Sequence, residues 1–229
     1  MAAIIKVNKT REHHMTTEKI ITQNDRPTPK NNNSEQQIDH NTEIVSSLKN
    51  HLLIAMPALT DPYFKHSVVY LCEHDEKGAM GFIINYPVKL TLQELLKNVE
   101  SISYQPDPPL LDPVFLGGPL DLERGFVLHS PVADNSQSTQ LNDQLMMSNS
   151  NIILSTLGTE EAPEKYMVTL GYASWDSGQL EQEIKENHWL TIKSENNLIF
   201  NTPIEKRWIE SLQRLGITPD QLSTTSGHA

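Results

Sequence analysis

Gly171-Tyr172-Ala173-Ser174-Trp175-Asp176-Ser177-Gly178-Gln179-Leu180-Glu181-Gln182-Glu183 joins a strand to a helix. The run before it, Tyr166-Met167-Val168-Thr169-Leu170, favours an extended backbone. Asp176 is placed to cap the first free N–H groups of a helix, and Gln179, three residues on, can reach back to the Asp176 N–H. Trp175 and Leu180 stand at hydrophobic-staple spacing. The pattern predicts a helix from Asp176 to about Asn187, with Trp175 pinned at a strand-to-helix corner. Such a corner sets free N–H groups beside an aromatic ring, which suits a ligand or partner site.

Upstream, Leu52 to Met56 reads as a strand stopped by Pro57. Ser67 to His74 and Ala79 to Asn85 read as a hairpin turned by Asp75-Glu76-Lys77-Gly78. Both strands are apolar on consecutive positions, as in a sheet covered on both faces. Thr91-Leu92-Gln93-Glu94 is a capping box for a helix to about Val99, with Leu90 and Leu95 as its staple. Pro113 to Gly117 and Gly125 to Ser130 read as short strands, and Asn149 or Ser150 opens a helix ending near Gly158. Downstream, Trp189 to Ile192 and Leu198 to Phe200 read as strands. Thr202-Pro203-Ile204-Glu205 is a further capping box, whose helix carries Ile204, Trp208, Leu212 and Leu215 on one stripe and stops at Gly216. Strands interleaved with helices predict a single-domain α/β fold, a layered α/β sandwich with a mixed sheet, over residues 47–229. Residues 1–46, with Pro27-Thr28-Pro29, Asn31-Asn32-Asn33 and no sustained hydrophobic period, read as a disordered N-terminal extension.

The 229 residues carry a net charge of −11. Residues 1–47 hold six basic and six acidic side chains, so the whole excess (18−6 = 12 basic against 29−6 = 23 acidic) belongs to the remainder. An acidic domain is poorly suited to duplex DNA, whose binding depends on phosphate contacts, and direct DNA binding is not expected. Lys206-Arg207 with Arg214 is the one basic cluster, and it reads as a solvated helix face. Cys72 is the single cysteine, which excludes an intramolecular disulfide and fits a reducing compartment. No signal peptide is evident, and the longest apolar run, Leu52 to Leu59, contains Pro57 and is too short for a bilayer. A soluble cytoplasmic protein with no membrane role is expected. No dinucleotide, P-loop or zinc-protease pattern is present.

Several segments, taken in order, carry a family likeness. They are Leu53-Ile54-Ala55-Met56-Pro57, Phe64 to His74, Gly81-Phe82-Ile83-Ile84-Asn85-Tyr86-Pro87, Leu116-Gly117-Gly118-Pro119, Arg124-Gly125-Phe126-Val127-Leu128-His129, and Gly171 to Trp175 with Gly178-Gln179-Leu180-Glu181. Together they resemble the bacterial AlgH/YqgE family, often labelled transcriptional regulators, over about residues 48–229, down to Gly227-His228-Ala229. Tyr86 departs from the basic residue usual between Asn and Pro, and Ser174 from a common Gly. The resemblance implies a compact α/β sandwich and lends no established biochemical activity.

The resemblance also places the turns Asn85-Tyr86-Pro87 and Gly117-Gly118-Pro119 near Trp175, rimming one shallow cavity. The candidate binding residues are Asn85, Pro87, Gly117, Gly118, Pro119, Tyr172, Trp175, Gln179 and Glu181. Trp and Tyr would be the anchors. Gly117-Gly118 could expose N–H groups to an anion, but no Lys or Ser/Thr follows at P-loop spacing, which favours a structural turn. Glu181, Glu183 and Glu186 read mostly as a charged outer helix face, and Glu181 sits in the first turn, where the helix dipole favours a carboxylate. Cys72 inside an apolar strand reads as a buried small hydrophobe; a zinc site with His74 and His129, an activated thiol and a thiol sensor are the sharper alternatives. The leading expectation is a non-enzymatic regulatory or interaction protein that binds a protein or small molecule, needs no cofactor or metal, and affects transcription only indirectly. The alternative is a hydrolase-like enzyme using His74 or His129 with Glu181 at the same cavity.

Overall fold

The computed structural model describes residues 47–99, 102, 106–132, 137–149, 151–218 and 222. The expected disordered extension over 1–46 and the final Gly227-His228-Ala229 lie outside the described residues. In chain order the elements are β1 (His51–Ala55), β2 (Val68–Asp75), β3 (Gly78–Ile83), β4 (Pro87–Thr91), α1 (Leu92–Lys97), β5 (Pro113–Leu116), β6 (Leu120–His129), β7 (Ser138–Asn142), β8 (Leu145–Ser148), α2 (Asn151–Thr156), β9 (Tyr166–Asp176), α3 (Gln179–Lys185), β10 (Trp189–Lys193) and α4 (Arg207–Arg214). A π-helical turn at Asn197–Asn201 and a 3-10 turn at Ile204–Lys206 precede α4. The expected α/β sandwich needs correction: the domain is sheet-rich, and its four described helices are only six to eight residues long.

The strands form one network in the order β10–β1–β2–β3–β9–β6–β8–β7, with β5 on β9 and β4 on β5. Every pairing is antiparallel apart from the short parallel match of Phe115 and Leu116 with Thr169 and Leu170. β9 is the spine. One edge pairs with β6, while the other holds β5 at Thr169–Leu170 and then β3 from Ala173 to Asp176. Gly171 sits at the changeover with φ +72°, a left-handed conformation that costs glycine least. Gly117 ties the changeover together: its N–H donates to Leu170 O and its carbonyl accepts from Ile83 N–H, both at 2.8 Å. A Cβ on Gly118 would lie 2.1 Å from the Tyr172 carbonyl carbon, so only glycine permits this backbone approach.

Apolar side chains leave both faces of the sheet, as the unbroken apolar runs predict. In β2, Val68, Tyr70 and Cys72 join one core and Val69 and Leu71 another, following the two-residue strand period. α1 and α2 cover a third core built on Val114, Val127 and Val168. The Thr91 capping box forms in full, with Glu94 N–H donating to Thr91 Oγ1 and Thr91 N–H to Glu94 Oε2. At the corner motif, pairing with β3 carries β9 on through Asp176. The helix therefore starts at Gln179 after Gly178, whose φ is +75°. Half of the expected box survives: Asp176 N–H donates to Gln179 Oε1 at 3.0 Å. The expected strand at Leu198–Phe200 is instead the π-helical turn. The Thr202 box does not form, because Thr202 Oγ1 bonds Asn197 O and Glu210 Oε2.

Candidate functional site

Trp175, Gln179 and Glu181 gather at the corner, but as parts of a packed polar knot. Trp175 is buried, and its indole N–H donates to Glu183 Oε2 at 2.9 Å. Trp189 donates to the same oxygen at 2.7 Å, and Gln179 Nε2 donates to Glu183 Oε1 at 2.9 Å. Phe64 packs against both indoles, with centroids 6.1 and 5.5 Å away. Glu183, expected on the charged outer face, thus turns in to serve three donors. Its spacing four residues after Gln179 was a signal for this bond.

Glu181 accepts from His74 Nε2 at 2.8 Å. Leu48 N–H donates to His74 Nδ1, also at 2.8 Å, which fixes the tautomer with its proton on Nε2. Both ring nitrogens of this buried histidine are therefore engaged, and His74 has no free lone pair for general-base work. His129 lies in a separate environment. It is buried, and desolvation pushes its pKa below the ordinary imidazole value. His129 Nδ1 faces Ser130 O at 2.8 Å and Nε2 faces Ser148 Oγ at 3.0 Å. Ser148 Oγ contacts Ser138 Oγ, so a Ser138–Ser148–His129 chain opens on a cavity of about 770 Å³ walled by Val132, Ile152, Ile153 and Pro163, with Glu160, Glu161 and Glu164 around it. Its members fall on three strands, and the hairpin β7–β8 that supplies both serines carries no strong sequence signal.

Asn85 Oδ1 accepts from Val68 N–H at 2.8 Å and Asn85 Nδ2 donates to His66 O at 2.9 Å, which pins the Lys65–Ser67 loop. It borders an open hollow of about 560 Å³ with His66, Tyr86, Ile204, Trp208 and Ile209. The His66 and Trp208 rings lie 4.5 Å apart, and the Trp208 indole N–H donates to Ala55 O at 2.8 Å. Tyr172 projects from the opposite face of β9 to Trp175, edge-on to Phe126 at 6.0 Å. It borders a third hollow, of about 270 Å³, with Met80, Ser174 and acidic Glu73 and Asp75. Pro87 opens β4 opposite Phe115.

The turns do adjoin, since Leu116 N–H donates to Tyr86 O at 2.8 Å and Gly118 abuts the Tyr172 backbone, but they do not rim one cavity: Asn85 and Trp175 line different hollows, and Gly117–Pro119 lines neither. Gly117 and Gly118 are buried, and the Gly117 N–H is already bonded within the sheet, leaving it no role toward an anion. Among the described residues no group of three His, Cys, Asp or Glu side chains could hold a metal ion. No helix of the described residues is long and apolar enough to cross a membrane. Cys72 is fully buried, its thiol donates to Met80 O, and desolvation pushes its pKa up to about 12. Arg207, expected on a solvated face, is also buried, and desolvation lowers it to about 10.

A family model described as AlgH-like matches residues 52–220. A UPF0301 protein of Vibrio atlanticus is 50% identical over 186 residues, covering 80% of this chain and 100% of that one. A UPF0301 protein of Vibrio cholerae is 48% identical over 186 residues, with the same two coverages of 80% and 100%. The solution structure of the AlgH protein from Pseudomonas aeruginosa superposes with a TM-score of 0.67 at 37% identity, covering 86% of this chain and 100% of that one. A crystal structure of a Corynebacterium diphtheriae protein, at TM-score 0.58 and 20% identity over 76% of this chain and 91% of that one, shares the fold. The glycine-bound changeover on β9 and the corner motif both fall inside the matched span, and the chain belongs to the AlgH-like family.

Proposed function

We propose that the protein is a non-enzymatic interaction module that engages a protein segment at the open hollow beside Asn85, and that any effect on transcription is indirect. One observation carries this reading: Trp208, His66 and Tyr86 form an accessible aromatic rim whose members are held in place, Trp208 by Ala55 O and the His66 loop by Asn85. Rigid aromatic anchors lose little conformational freedom on binding, which is why such residues dominate interface energetics. Ile209, 40% exposed at the edge of the hollow, widens the apolar surface. The acidic domain argues against duplex DNA as the occupant. Trp175, Gln179 and Glu181 serve this reading as the scaffold behind the surface.

A photo-cross-linking residue at Ile209 tests it. A discrete adduct in cells that disappears with Tyr86→Asp is expected. An adduct pattern identical to that from Leu111, an exposed residue outside the hollow, would overturn the reading. A duplex shift by the purified protein with a steep salt slope would overturn the indirect role.

The enzymatic alternative now draws on His129 in place of the His74–Glu181 pair. The neutral His129 ring could take a proton through Ser148 as Ser138 Oγ adds to an acyl carbonyl, and return it to the leaving alcohol. Labelling of Ser138 by a fluorophosphonate, lost in Ser138→Ala, would support it; an unlabelled native protein would remove it.

A further inference from the structure

Arg207 is 4% exposed, yet no carboxylate of the described residues pairs with it. Its Nε donates to Thr202 O at 3.0 Å and its Nη1 to Ile84 O. A guanidinium has five N–H donors in a rigid fork, so three of them have no protein acceptor. Phe115 lies under the guanidinium carbon, 5.4 Å from ring centre to Cζ. Glu205 lends it a favourable charge through space, without a hydrogen bond. A buried cation in this condition normally has a partner.

Arg207 also lines a cavity of about 170 Å³, distinct from the Asn85 hollow, whose walls include Phe115, Met167, Ile199, Phe200 and Ile204. We propose that this cavity binds a small organic monocarboxylate, with the carboxylate on the unused N–H groups of Arg207 and an apolar tail among Phe115, Ile199, Phe200 and Ile204. The planar fork matches a carboxylate in two-point contact. A space of about 170 Å³ suits a short apolar chain. Asp112, whose Oδ2 accepts from Tyr166 OH at 3.1 Å, stands among the lining residues and adds a negative charge. That carboxylate, with the protein's overall −11, disfavours phosphate and other polyanions. Cation and apolar wall come from distant parts of the chain, β5, β9, the π-helical turn and the start of α4, so the site exists only once the domain is folded.

Calorimetric titration of the full-length protein with pentanoate, pentanamide and inorganic phosphate tests the proposal. Saturable one-to-one binding of pentanoate is expected, with pentanamide at least about tenfold weaker and no response to phosphate. Arg207→Met should weaken pentanoate by about tenfold or more. Because Arg207 also braces Ile84 and Thr202, Phe200→Trp is the second variant: it fills the cavity, leaves the guanidinium in place and should abolish binding. Absence of saturable binding, equal affinity for pentanamide, or pentanoate binding unchanged in Phe200→Trp would overturn the proposal.

Discussion

Glu183 and Arg207 are both charged side chains drawn in from the surface, and they meet opposite fates. Glu183 accepts from two indoles and a glutamine amide, so its desolvation is offset and its neighbours are locked. Arg207 meets two carbonyls, an aromatic face and an otherwise open cavity. The knot is finished structure, and the charge there holds Trp175, Trp189 and Gln179 in place. The guanidinium keeps donors unspent, and that residue of capacity is what a binding site requires.

The harshest way to break the contrast is to remove the strand that carries both regions. Gly118→Ala drives a methyl into the Tyr172 backbone at 2.1 Å, where no flexible side chain can yield. A loss of at least about 3 kcal/mol, or failure to fold, is expected in thermal unfolding. A near-normal midpoint would mean that the β9 changeover tolerates displacement.

Next comes the direct comparison. Glu183→Ala strands two indole N–H groups and should cost about 2–4 kcal/mol in urea unfolding at unchanged m. Arg207→Met removes a desolvated cation but also the donor to Thr202 O and Ile84 O, and the two effects partly offset, so a loss of about 1 kcal/mol, below that of Glu183→Ala, is expected. Equal losses in the two variants would erase the distinction.

His129 sharpens it through pH. Burial lowers its folded pKa, so the unfolded chain binds the proton more readily. Its contribution is fully present above the ordinary imidazole value of about 6.5 and is lost as pH falls below it toward the folded pKa. The stability-pH slope just below that value should flatten in His129→Gln. The smallest effect belongs to Cys72. Its thiol, pushed up to about 12 and fully buried, should stay unmodified by iodoacetamide at pH 8 until the protein is unfolded. Rapid native-state alkylation would revive a sensor role.

Much of this architecture is legible along the chain, for local reasons. The Thr91–Glu94 box closes because both partners lie within one helical turn. The β2–β3 hairpin follows from Glu76-Lys77 with Gly78 at φ +133°. The Asp176 cap fails because β3 offers β9 further pairing, which outweighs a single local cap. β7 and β8 escape notice because Ser138 to Gln140 has no apolar alternation to mark a strand. At the candidate site, local spacing marks the corner around Trp175 but not what it holds: spacing brings Gln179 to Glu183, yet only folding brings Trp189 to the same carboxylate.

By itself the sequence determined the family, the local starts and stops of several elements, and the placing of all excess acid outside the first 47 residues. These rest on neighbours a few positions apart. Tertiary structure alone decided that Asn85 and Trp175 line separate hollows, that His74 is fully engaged, and that Arg207 ends up buried beside a cavity with no carboxylate of the described residues bonded to it. Each of those outcomes depends on which distant segment occupies the last hydrogen-bonding position or wall: Leu48 and Glu181 at His74, and Thr202 and Ile84 at Arg207, are contacts that no local sequence pattern specifies.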